Sequence, residues 1–156
     1  MSLEKILIIK QYQETDIARC KTGLEASPEK YSVVIANNYQ EGFHLLKERS
    51  STPVERMSAV IIDADEVDSY ALDLLASIKG LNDFVPIIVL TRMAHNQERH
   101  ALTSMASECI VKTGEYYKFL WRAVKSSLER NSNRHQFTPT KPRRVFKAFP
   151  LSKKKA

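Results

Sequence analysis

An α/β fold built on a doubly wound parallel sheet is the class this sequence predicts, and three observations predict it. Short apolar runs alternate five times with longer stretches of helical period across residues 4–130. Three of those runs, KILII, SAVIID and PIIVLT, are apolar almost throughout, as strands covered on both faces must be. Every strand-like run is followed by a segment long enough to form a helix, which is what a parallel crossover requires.

The elements follow in order. KILII (5–9) precedes a helix over 14–26, where Ile17, Cys20 and Leu24 share a face. YSVVIA (31–36) precedes a helix over 40–49 that turns Phe43, Leu46 and Leu45 inward. SAVIID (58–63) leads into a helix over 69–80, with Leu72, Leu75, Ala76 and Ile78 as its inner face and Lys79 in the last turn. PIIVLT (86–91) is followed by a weaker helix near 96–106. ECIVK (108–112) is the fifth strand, and a fifth helix over 115–130 carries the stripe Tyr116, Leu120, Ala123, Val124 and Ser127. Beyond Arg130 the apolar period stops. Residues 131–156 contain three prolines and interspersed charge, so a domain over 4–130 and a basic, disordered tail over 131–156 are expected.

Composition narrows the function classes. A chain of 156 residues that is 43% hydrophobic can bury an ordinary core. The net charge of +6 is unevenly placed. Eight of the 24 basic residues lie in 131–156, where there is no acid, so residues 1–130 carry 16 basic and 18 acidic side chains, a net of −2. Basicity therefore belongs to the tail, and a nucleic-acid role is expected only there. No apolar run approaches the ~20 residues that cross a bilayer, so no transmembrane segment is expected. The N-terminus lacks a signal-peptide pattern, and Cys20 and Cys109 form no Cys-x-x-Cys, which points to a reducing cytoplasm.

Several chemistries drop out. The four glycines form no phosphate-cradling loop, and no Gly-x-Ser-x-Gly elbow occurs. His44, His95, His100 and His135 are scattered. The acidic run from Asp63 is not a calcium loop, because Val67, Asp68 and Leu74 stand where an oxygen ligand, a glycine and a glutamate are needed.

In open parallel sheets, ligands and chemistry collect beyond the carboxyl ends of the strands. That rule selects Lys10, Gln11, Asp63, Thr91 and Lys112. A carboxylate, a hydroxyl and an ammonium at three neighbouring strand ends suit phosphoryl transfer, which needs an in-line nucleophile and positive charge on the equatorial oxygens. A hydroxyl can report the added charge through a new hydrogen bond.

With these residues in view, the chain resembles the receiver domain of two-component response regulators. KILII, AVIIDAD, PIIVLT and CIVK carry the likeness, in the family's order and spacing. The resemblance implies a flavodoxin-like sheet in the order 2-1-3-4-5. It implies that Asp63 is the phosphoacceptor, or its relic, served by a histidine kinase. Thr91 would be the residue that reports the phosphoryl group, and Lys112 its counter-ion. It implies a signalling module and no enzyme.

The sequence departs from the family's pattern at several positions. The two acids that hold Mg²⁺ after the first strand are replaced by Lys10 and Gln11, and Lys10 points either into the metal's place or to solvent. Glu14 and Asp16 are the substitute ligands at hand. The usual proline and glycine after the phosphoacceptor are Val67 and Tyr70 or Ala71, the aromatic switch residue is Cys109, and the proline after the lysine is Thr113. A degenerate receiver is therefore expected, a pseudo-receiver acting through protein–protein contacts, with no cofactor and Mg²⁺ only if the site is functional. Asp65, Glu66 and Asp68 read as solvated loop acids, with Asp68 or Ser69 capping the third helix. Expected partners are a histidine kinase or another signalling protein, and a second copy through the surface of the fifth strand and fifth helix, where Tyr117 and Trp121 lie four apart. The alternative is a nucleic-acid-associated protein binding through its tail, where Phe137, Phe146 and Phe149 stand among the basic residues.

Overall fold

A computed structural model describes residues 3–11, 15–49, 56–92 and 104–136. The elements are β1 (Lys5–Ile9), α1 (Thr15–Glu25), β2 (Ser32–Ala36), α2 (Tyr39–Arg49), β3 (Ala59–Asp63), α3 (Ser69–Leu81), β4 (Ile87–Thr91), β5 (Glu108–Val111), a 3-10 turn (Tyr116–Lys118) and α4 (Leu120–Gln136). The five strands form one sheet in the order β2-β1-β3-β4-β5, with every pair parallel. The expected fold class is the one observed. The helix expected near 96–106 lies largely outside the described residues; of residues 104–106, which are described, Ser104 and Met105 are helical.

Strand alternation divides the core in two. Leu7, Ile9, Val60, Ile62, Ile87 and Val89 face α2 and α3, and pack on Leu46, Leu74, Leu75 and Ile78. Ile6, Ile8, Ile61, Ile88 and Leu90 face the other way, onto Ile17, Cys20 and Leu24 of α1 and Leu120 and Val124 of α4. Successive side chains of a strand point to opposite faces, so covering both faces makes β1, β3 and β4 apolar except at Lys5, Asp63 and Thr91, which stand at strand ends. No helix among the described residues is long and apolar enough to cross a membrane.

Two helices differ from expectation. The buried face of α3 is Ala71, Leu74, Leu75 and Ile78, while Leu72 is only partly covered and Ala76 is half-buried. Asp68 is the N-cap of α3, accepting a hydrogen bond from the Ala71 backbone N–H at 3.0 Å. The last helix starts later and runs further than expected. Residues 116–118 form a tighter turn, with Phe119 N–H bonded to the Tyr116 carbonyl, and α4 continues six residues beyond Arg130. Arg130 is anchored in mid-helix by Ser126, Ser127 and, across to β5, Glu108. No glycine or proline follows until Pro139, so nothing stops the helix at 130. The rest of the expected tail, 137–156, lies outside the described residues.

Candidate functional site

The sheet brings three predicted residues to one point. Asp63 ends β3 and Thr91 ends β4, and the register Asp63↔Leu90 and Thr91↔Val111 places Lys112 just past both. The Lys112 N–H donates to the Thr91 carbonyl at 2.8 Å, which holds the lysine backbone against the neighbouring strand. Its side chain runs back over the sheet, and its ammonium is ion-paired with the Asp63 carboxylate, both side chains being 1% exposed. The Tyr39 hydroxyl donates to the Asp63 carbonyl at 3.3 Å and ties the strand end to α2.

Asp65 is the residue that sequence reasoning misplaced. Instead of standing in solvent, it accepts from the same Lys112 ammonium at 2.8 Å through Oδ1 and pairs with Arg92 Nε at 3.2 Å through Oδ2. Its carbonyl is also in use, taking the Thr91 hydroxyl at 3.1 Å and the Arg92 N–H at 3.2 Å. The loop after β3 is therefore stitched to the end of β4 by main chain and side chain together. The missed signal was the extended loop itself, in which residues two apart share a side, so Asp65 follows Asp63 toward the lysine. Glu66, by contrast, is exposed as expected.

Burial would lower the pKa of the Lys112 ammonium, but its hydrogen bonds to Asp63 and Asp65 outweigh that and hold it above the ordinary 10.5. Burial likewise works to raise the Asp65 carboxyl, and Lys112 and then Arg92 overcome it, leaving the group below its ordinary 3.8. The stability that Asp65 contributes is complete above 3.8 and is lost as the pH falls through its lowered value. That of Lys112 is complete below 10.5 and is lost as the pH rises through its raised value. Urea unfolding of the wild type and Asp65→Asn should thus differ most near neutrality and converge in acid. A gap that persists unchanged to about pH 2 would contradict this assignment.

The other predicted residues lie around this centre. Lys10 is half-buried beyond β1, its N–H donating to the Ala36 carbonyl at 3.0 Å, and among the described residues it makes no ion pair with Asp63. The ammonium beside Asp63 belongs to Lys112, which reaches it from the far side of β4. Gln11 is half-buried, and its Oε1 is shielded from solvent with no hydrogen-bond partner among the described residues. Cys109 is half-buried against the core on the α2–α3 side. Asp16 is engaged elsewhere, accepting from the Tyr116 hydroxyl at 3.3 Å, and Glu14 lies outside the described residues.

This donor set does not fit the Mg²⁺ that the resemblance implies. Mg²⁺ requires carboxylate and water oxygens in a tight octahedron. The positions after β1 offer an ammonium and an amide, Lys112 binds the carboxylates of Asp63 and Asp65, and Arg92 takes the second oxygen of Asp65. Among the described residues no group of three or more His, Cys, Asp or Glu side chains is placed to hold a metal ion.

No protein-family model matches the sequence, and no curated protein matches it. Solved structures do. A CheY-like response regulator receiver domain protein from Methanospirillum hungatei is 23% identical with a TM-score of 0.68, over 85% of this chain and 98% of its own. The fold is that of a receiver domain. A response regulator from Thermotoga maritima, 20% identical, gives a TM-score of 0.67 over 81% of this chain and 99% of that one. An atypical orphan response regulator, described as having a phosphorylation-independent regulatory mechanism, is 18% identical with a TM-score of 0.64, over 80% and 95% of the two chains. Within the receiver fold, Asp63, Thr91 and Lys112 meet at the carboxyl edge of the sheet, and Asp65 and Arg92 close over them.

Proposed function

We propose that this domain is a pseudo-receiver, a cytoplasmic signalling module of two-component type that works through protein–protein contacts without Mg²⁺-dependent phosphorylation of Asp63. The observation that carries the reading is the internal neutralisation of the site. Lys112 spans Asp63 and Asp65, Arg92 takes the remaining oxygen of Asp65, and β1 contributes Lys10 and Gln11 where acids would be needed. Phosphoryl transfer to Asp63 requires charge stabilisation on the transferred group beyond one lysine. Here that lysine is shared between two carboxylates.

The Thr91 hydroxyl supports the same reading. It already donates to the Asp65 carbonyl, so its hydrogen bond is committed within the protein. The domain holds one arrangement of its strand ends, and a histidine kinase or other signalling protein would recognise that arrangement as it stands. A second copy meeting the β5–α4 surface belongs to the same reading. The phosphorylation-independent mechanism described for one structural neighbour supports it. Addition of acetyl phosphate or beryllofluoride with Mg²⁺ is expected to leave the backbone amide resonances of residues 63–68 and 91–92 essentially unmoved. A clear Mg²⁺-dependent shift that disappears in Asp63→Asn would establish a working phosphoacceptor instead.

A further inference from the structure

Lys112 and Tyr116 anchor the two ends of the short segment between β5 and the 3-10 turn. At its start, the Lys112 N–H is bonded to the Thr91 carbonyl, and the Lys112 ammonium is paired with Asp63 and Asp65. The Thr91 hydroxyl in turn donates to the Asp65 carbonyl at 3.1 Å. Asp65, Thr91 and Lys112 are thus joined through main chain and side chain, and they shift as one unit.

The other end is fixed to α1. The Tyr116 side chain is buried in the core layer that holds Ile17, Cys20 and Leu24. Its hydroxyl donates to Asp16 Oδ2, in the first turn of α1, at 3.3 Å and accepts from the Cys20 thiol at 3.9 Å. Burial pushes the thiol up to about 11 and raises the hydroxyl as well. Both are therefore protonated donors at neutral pH, and the bonds run one way, from Cys20 through Tyr116 to Asp16. Tyr117 adds a second fixed point. A Cβ on Gly23 would lie 2.8 Å from the Tyr117 carbonyl oxygen, so α1 and the turn meet backbone to backbone.

Between these anchors, Thr113, Gly114 and Glu115 are exposed. Gly114 has a φ of 58°, and nothing lies within 4 Å of the place its Cβ would take. Packing therefore does not fix the middle of the segment; its ends do. Each residue has two soft dihedrals, so the three have about six, and six coordinates place one rigid body relative to another. The segment has almost no freedom to spare. When one anchor moves, the left-handed glycine between them takes up part of the change and the rest reaches the other anchor.

We propose that residues 112–116 form a strap that couples the strand-end ion-pair centre to the start of α1. A change at Asp63 or Asp65 is then felt at Asp16 and Cys20, and a partner that moves α1 is felt at Lys112, since such coupling is reciprocal. It holds whether or not Asp63 accepts a phosphoryl group. In the full chain, Asp65→Asn should move the backbone amide resonances of Asp16, Cys20, Tyr116 and Tyr117. Tyr116→Phe, which keeps the ring and removes the hydroxyl, should move those of Asp63, Asp65 and Arg92. Combined in one chain, the two substitutions should change the unfolding equilibrium constant non-additively, by about 3-fold or more. One glycine inserted after Gly114 supplies two further dihedrals and should abolish both remote responses while leaving each local one. Thr113→Gly loosens the strap without lengthening it and should weaken the remote responses, which keeps the test decisive where the insertion fails to fold. Remote shifts undiminished by either change would place the coupling in the sheet and overturn the strap. Shifts confined to the neighbourhood of each substitution, with additive losses of stability, would overturn the coupling itself.

Discussion

Lys112→Met is expected to destabilise the domain by about 3–5 kcal/mol, the cost of leaving a buried ion pair with one partner. Asp63 is 1% exposed, and the ammonium of Lys112 is its salt-bridge partner. Asp65 loses its inner cation in the same step and keeps Arg92. Methionine fills much of the lysine's volume, so the loss is electrostatic rather than a packing defect. Urea unfolding should show a lowered midpoint with an unchanged slope, and the melting temperature should fall by on the order of 15 °C. The double variant Asp63→Asn with Lys112→Met separates charge from shape. Neutralising the Asp63 carboxylate as well should recover more than half of the loss, because a hydrophobic or neutral replacement of a whole buried pair is close to neutral in stability. Equal destabilisation of the single and double variants would assign the effect to packing around the lysine stem.

That pair also shows what could be read from the linear sequence. The strand-end rule pointed to Asp63, Thr91 and Lys112 because each follows an apolar run of strand length, and the sheet order brings those runs side by side. Asp65 and Arg92 escaped the same rule. Each stands beyond a strand end, and their contact depends on how the segment after β3 lies against the end of β4, which no periodicity encodes. Lys10 illustrates the converse, since its position after β1 was legible, while that the ammonium paired with Asp63 among the described residues is that of Lys112 is set by three-dimensional reach. The inner face of α3 was shifted because ALDLLASI offers more apolar positions than one face needs, and only packing on the sheet shows which are buried. Of the stripe expected for the last helix, Leu120, Val124 and Ser127 are buried on α4 and Tyr116 is buried in the 3-10 turn before it, while Ala123 is only partly covered. The end of that helix was not legible, because Arg130 is held by Glu108 from a different element.

Gly42→Ala is the second large effect, and it links the core to the site. Gly42 lies on the buried side of α2, where a Cβ would come within 2.5 Å of Ile9 Cδ1, 2.6 Å of Cγ1 and 2.7 Å of Cγ2. Ile9 is fully buried at the end of β1 and is held between Ala36 on β2 and Ile62 on β3. A branched side chain in that position has few rotamers to retreat into. Overpacking of this kind costs about 1–3 kcal/mol, and three clashes with one rigid neighbour place it at the upper end. Alanine's better helix propensity returns up to ~1 kcal/mol, so a net loss of about 2 kcal/mol is expected. Ile9→Val removes the nearest atom, Cδ1, and should soften the effect, so that the two substitutions together cost less than their sum. Because Lys10 and Gln11 follow Ile9 directly, their amide resonances should move in Gly42→Ala and return toward the wild-type positions in the double variant. Strictly additive losses with unmoved resonances would mean that α2 shifts as a body and leaves the end of β1 where it is.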